Sequence, residues 1–283
     1  MAYCLIFPGQ GSQFPGMSRG LDMEPSVHGH LYNLMENGPE DQLEQTLHAQ
    51  PAVLSVSAAL WERSGLKDPA VVMGHSLGEY AALVAAGCLN TSEALSLVRK
   101  RAEFMDSSRP QGAGGMAAVM GLSRQEIDEI IAGFPELWVA NLNGASQVVI
   151  SGSVKSIDAA SSRLKDRGAK RVVPLGVSVA SHCPYMETAR RSLEDYLRHV
   201  EFREPSCPVI SNASARPERD PARIKELLAD QLVSPVLFEE SVQAANALGI
   251  DHFVEIGPCS VLAPLVRRIA PGVKVEVITN DGR

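Results

Sequence analysis

The chain has 283 residues, 45% of them hydrophobic and 21% charged, a composition that excludes disordered, collagen-like and low-complexity classes. A chain this long buries about 75% of its unfolded surface and needs no disulfide staple; its five cysteines, Cys4, Cys88, Cys183, Cys207 and Cys259, lack CxxC spacing and read as free thiols of a reducing compartment, not as a zinc site. A net charge of −7 opposes general nucleic-acid binding, no run approaches the roughly 18 apolar residues of a membrane span, and the opening stretch has no basic and apolar leader pattern, so a cytoplasmic protein is expected.

Short runs that are apolar on both faces alternate with longer helical patterns, as for strands buried between helical layers, and the expected fold class is α/β. Residues 3–7 read as a strand stopped by Pro8-Gly9-Gln10-Gly11-Ser12-Gln13, a turn that leaves backbone N–H groups free at the strand's C-terminal end. Residues 20–30 read as a loose segment. Pro51 is expected to open a helix through Ala52, Leu54, Val56, Ala59 and Leu60, and residues 70–73 form a short strand. Helices over 79–86 and 93–105 follow. The rhythm then changes to a strand at 116–121, a helix at 123–132, strands at 137–143 and 147–152, a helix at 154–166 and a strand at 170–175. This βαββαβ order is the split pattern of a ferredoxin-like unit at 115–180, inserted into a larger α/β unit made of 1–114 and 181–283, with the cleft between them a natural ligand site.

Gly74-His75-Ser76-Leu77-Gly78 fits GxSxG between a strand and a helix, the context of a nucleophile elbow. Such a turn holds Ser76 Oγ at a helix N-terminus, where the Leu77 N–H can face a developing oxyanion; the bland alternative is a structural serine in an ordinary turn. A serine nucleophile needs a base, and seven histidines compete. His75 lies inside the elbow and projects away from Ser76, His28 and His30 lie in the loose segment, and His48 and His199 lie in polar helical stretches. His182 follows the run 172–180 at the strand edge where the elbow lies, whereas His252 opens a strand at the opposite edge, so His182 is preferred, although a late histidine is what an α/β-hydrolase would favour. In the helix at 93–105, Arg101 sits inside the apolar stripe of Ala94, Leu97, Val98 and Met105. A guanidinium there calls for a carboxylate, an internal ion pair or a snorkelling stem.

The blocks Phe7-Pro8-Gly9-Gln10-Gly11-Ser12-Gln13, Gln50-Pro51-Ala52, Gly74-His75-Ser76-Leu77-Gly78-Glu79-Tyr80, Arg101 with Met105, Gln147-Val148-Val149-Ile150-Ser151-Gly152, Ser181-His182-Cys183 and Glu255-Ile256-Gly257-Pro258 occur in one order over nearly the whole chain. In these the sequence resembles the malonyl-CoA:acyl carrier protein transacylases of fatty-acid and polyketide synthesis. The resemblance implies an α/β-hydrolase-like large domain with an inserted ferredoxin-like one. It also implies a Ser76 nucleophile, a His182 base oriented by a carbonyl of Gln231, an oxyanion hole from the N–H groups of Gln10 and Leu77, and Arg101 as holder of the substrate carboxylate. Malonyl-CoA would be the substrate, with no metal or redox cofactor, and an acidic acyl carrier protein the partner, docked on Lys170, Arg171, Arg267 and Arg268. A monomer is the default. Departures from the family pattern are a short segment between Met17 and Leu31, Ala102 after the arginine, Val179-Ala180-Ser181-His182, and the loop Asn143-Gly144-Ala145-Ser146. An acyl hydrolase of the same family and a non-catalytic docking subunit of a synthase assembly are the rival readings.

Overall fold

The structure, a computed structural model of the chain, describes residues 2–108, 113–145, 147–177 and 179–280. The chain opens with β1 (Cys4–Phe7), runs through α1 (His30–Asn37), α2 (Glu40–Leu43) and α3 (Thr46–Ser64) into β2 (Val71–Gly74), then through α4 (Gly78–Ala85) and α5 (Thr91–Ser107). Next come β3 (Gly114–Met120), α6 (Arg124–Ile131), β4 (Leu137–Leu142), β5 (Gln147–Ser153), α7 (Val154–Asp166) and β6 (Arg171–Pro174). The return consists of α8 (Glu187–Leu197), β7 (Val209–Ile210), β8 (Pro217–Glu218), α9 (Pro221–Asp230), α10 (Phe238–Ala247), β9 (His252–Ile256), α11 (Ala263–Ile269) and β10 (Lys274–Ile278).

The fold is mixed α/β with two sheets. The larger has the order β10-β9-β1-β2-β7-β8, parallel except for the edge pair β7 and β8. Its central strands are apolar on both faces because both are covered: in β1, Leu5 and Phe7 join the core with α3, α4 and α5, while Cys4 and Ile6 join the one with α10 and α11. The smaller sheet has the order β4-β5-β3-β6 and is antiparallel throughout. One face packs Ala117, Val119, Val148 and Ile150 against Ile127 and Ile131 of α6 and Ile157 and Leu164 of α7. The other face, with Met116, Ala118 and Val149, turns toward the elbow. A backbone bridge from Asn141 to Val236 ties this sheet to the larger unit.

Two expectations need correction. The helix containing Pro51 begins at Thr46, so the proline lies in its second turn; there it forfeits the bond to the carbonyl of Leu47, an exposed residue, and its fixed φ still suits the helix. The segment 20–30 is not loose: Leu21, Met23 and Val27 are buried in the main core, because three apolar side chains in a short stretch gain more by packing than the segment gains from freedom. Of the loop departure, Ser146 lies outside the described residues.

Candidate active site

The elbow follows from two missing side chains. A Cβ on Gly78 would overlap the Phe7 carbonyl oxygen, and one on Gly74 would overlap the Gly78 backbone, so only glycine lets α4 start this close to β1 and β2. Between them Ser76 adopts φ +52, a left-handed conformation uncommon outside glycine. Asn212 holds the strained turn, accepting from the Ser76 N–H and donating through Nδ2 to the Gly74 carbonyl at 2.7 Å.

Ser76 Oγ lies 2.8 Å from His182 Nε2, and His182 Nδ1 lies 2.8 Å from the backbone oxygen of Gln231. A carbonyl can only accept, so Nδ1 carries the proton and Nε2 is left to receive one from serine. Burial first, and then the charge of Arg101, push the His182 imidazole down to about 3. His252, the competing base, opens β9 beside Tyr3 and Glu276, away from the elbow.

Arg101 is 1% exposed, on the buried stripe of α5 beside Ala94, Leu97, Val98 and Met105. It donates from Nη1 to Gln50 Oε1 (2.6 Å) and from Nη2 to Gln231 Oε1 (3.1 Å) and Ser76 Oγ (3.2 Å), while the Tyr80 ring lies 5.5 Å from its Cζ. Among the described residues, all its hydrogen-bond partners are neutral. Burial of an unpaired guanidinium is costly and lowers its pKa. The arrangement is suited to an anion that arrives from outside.

Gln10 and Leu77 line a cavity of about 80 Å³ together with Ser76, Arg101, His182, Met105 and Met116. A second cavity, about 320 Å³, shares Gln10, His75, Asn141 and Leu175 with it and leads outward past Asn143, Gln147 and Val261 to Arg268. His75 points into this passage, its Nε2 2.8 Å from Asn143 Oδ1, and so does not compete as base. Arg268 donates to Gln147 Oε1, whereas Lys170, Arg171 and Arg267 are exposed and line neither cavity. Sequence reasoning missed Gln50, Glu79 and Asn212 as parts of the site. A glutamic acid within the otherwise apolar start of α4 was the available signal for Glu79.

A strained serine, a histidine on its hydroxyl and an unpaired arginine at one small cavity are matched by the similarities of the chain. The family model described as acyl transferase domain matches residues 21–278. The chain belongs to that family. This acyltransferase is 40% identical to the malonyl CoA-acyl carrier protein transacylase of Bacillus subtilis, over 97% of the chain and 92% of that protein. It is 37% identical to the protein of the same name from Escherichia coli K12, over 98% and 96%. An acyl carrier protein S-malonyltransferase from Vibrio cholerae superposes with a TM-score of 0.89 at 36% identity, covering 99% of this acyltransferase and 97% of that chain. A malonyl-transacylase in complex with a type II PKS acyl-carrier protein superposes with a TM-score of 0.93 at 34% identity, covering 100% and 97%.

Proposed function

We propose that the protein is a malonyl-CoA:acyl carrier protein S-malonyltransferase that works through a malonyl ester on Ser76. The observation that carries this reading is the buried Arg101, whose hydrogen-bond partners among the described residues are all neutral, 3.2 Å from Ser76 Oγ. A dicarboxylic acyl group attached to Ser76 puts its free carboxylate where that guanidinium waits, and an acetyl group leaves the charge unanswered. The inner cavity, about 80 Å³, suits a short acyl group.

In the first half-reaction His182 Nε2 takes the Ser76 proton as Oγ attacks the thioester carbonyl. The oxyanion forms opposite the N–H groups of Gln10 and Leu77, neither of which donates to another described residue. Collapse expels CoA as a thiolate, which takes the proton from His182. The phosphopantetheine thiol of the carrier then attacks the ester with the same base. His182 is oriented by the Gln231 carbonyl instead of a carboxylate, so its imidazolium is weakly stabilised and passes its proton on readily. The chemistry calls for no metal or redox cofactor.

The fold is read as an α/β-hydrolase-like unit (1–114 and 181–283) carrying a ferredoxin-like insert (115–180); the strand order of the small sheet supports this. Lys170, Arg171, Arg267 and Arg268 are the proposed docking charges for an acidic carrier, and Arg268 at the outer rim is the best placed. A cytoplasmic monomer is part of the proposal; among the described residues no helix is long and apolar enough to cross a membrane. Arg101 argues against a hydrolase of neutral acyl chains, and the paired Ser76 and His182 argue against an idle scaffold. Initial rates with malonyl-CoA and holo acyl carrier protein test the reading: parallel double-reciprocal lines and malonyl-carrier product are expected. Release of malonate without carrier loading would overturn it.

A further inference from the structure

Glu79 is a fully buried carboxylate in the first turn of α4, three residues from the nucleophile, and the mechanism above does not use it. Its Oε2 accepts from the Asn212 N–H (3.0 Å) and from Gln231 Nε2 (2.8 Å). The same Gln231 amide accepts from Arg101 Nη2 through Oε1. One side-chain amide therefore stands between a buried carboxylate and a buried guanidinium, its donor end on the anion and its acceptor end on the cation. The geometry points to Glu79 as the counter-ion of Arg101 while the acyl pocket is empty, relayed through Gln231. A substrate carboxylate that pairs with Arg101 takes over that role, and Glu79 then takes up a proton. This inference rests on the malonyl-transfer reading and makes Glu79 a positioning residue for its specificity.

The physical reason is charge balance in a dry site. With malonyl on Ser76, two carboxylates would share one guanidinium, and both cannot stay ionised at low dielectric. Burial already raises the Glu79 carboxyl to about 7. The other ionisable groups nearby do not take the proton in its place. Arg101 on α5 stays charged, burial holds Tyr80, the neighbour of Glu79 on α4, at about 12, and His182 sits at about 3. His75 at the elbow is lowered by burial. Asn212, Gln231 and Ser211, the hydrogen-bond partners of Glu79, carry no charge. Acylation by itself is proton-neutral, since the Ser76 proton leaves on the CoA thiol, so any uptake specific to malonyl reports this carboxyl.

The test is the ratio of Ser76 acylation rates with malonyl-CoA and acetyl-CoA from pH 6.5 to 9, read by quench and intact mass, in wild type and Glu79→Gln. The ratio cancels the titration of the CoA moiety. Wild type should lose malonyl preference above pH 7, by up to about tenfold per pH unit, while Glu79→Gln keeps a constant ratio. A flat wild-type ratio, or the same slope in Glu79→Gln, overturns the inference. Should the variant fail to fold, proton uptake by the wild type at pH 8 in weakly buffered indicator decides it. Close to one proton per malonyl-serine and none per acetyl-serine is expected, and equal uptake for both refutes it. If wild type gives no malonyl adduct at any pH, it is the transfer reading that falls.

Discussion

Arg101→Met removes the guanidinium while keeping most of its volume, so that the change reads out charge more than packing. In the empty site Arg101 makes three hydrogen bonds, to Gln50, Gln231 and Ser76. Pairing with a malonyl carboxylate keeps the first two and exchanges the third. A hydrogen bond to a charged group contributes about 1.5–3 kcal/mol, so a bidentate contact less the exchanged bond leaves about 1.5–3 kcal/mol of malonyl selectivity. Malonylation of Ser76 should therefore slow by about 10–10²-fold. Acetylation should hold or rise, because the Arg101 charge is the second cause of the depressed His182 pKa and its removal makes the base stronger. Stability should change little, as two orphaned acceptors are offset by the loss of a buried charge. Single-turnover acylation with each donor measures both rates. Equal losses for malonyl and acetyl would make Arg101 a structural residue and refute the argument.

Three further outcomes follow from the same geometry. Gly78→Ala drives a Cβ into the Phe7 carbonyl and should destabilise the fold by more than about 3 kcal/mol or abolish soluble expression, as urea unfolding would show. His182 is depressed when folded, so its contribution is present above the unfolded pKa near 6.5 and is lost as pH falls toward about 3. Between pH 7 and 5 the wild type should thus lose about 2 kcal/mol relative to His182→Asn, measured by urea midpoints at the two pH values. Charge reversal at Arg268 and Arg171 should raise KM for the carrier several-fold at low salt, leave malonyl-CoA acylation unchanged, and fade as salt increases.

How much of this was legible in the sequence depended on how local the signal was. The elbow could be read because strand, turn and helix are contiguous, and the two glycines that the close approach requires flank the serine. Arg101 could be read because an ionised side chain interrupts an apolar stripe within one helix. His182 could be preferred over His252 by asking which strand edge each occupies, and the structure places the former 2.8 Å from Ser76 Oγ. Gln50, Glu79 and Asn212 join the site through partners 51, 152 and 138 positions away, respectively, so apart from the lone glutamic acid in the apolar start of α4 nothing in their own neighbourhoods announces the network. Pro51 misled because proline marks a first turn by preference and tolerates the second where the lost acceptor is exposed. The segment at 20–30 misled because its Gly, Asp, Pro and Ser residues outweigh three apolar ones in sequence but not in the core.

The central claim is that Ser76 carries the acyl group. Intact mass spectrometry of wild type and Ser76→Ala after brief incubation with malonyl-CoA, followed by holo acyl carrier protein and peptide mapping, tests it most directly. The account predicts one malonyl adduct mapped to Ser76, discharged onto the carrier, and none in Ser76→Ala with its fold intact. An adduct elsewhere, or carrier loading by Ser76→Ala at the wild-type rate, would contradict it.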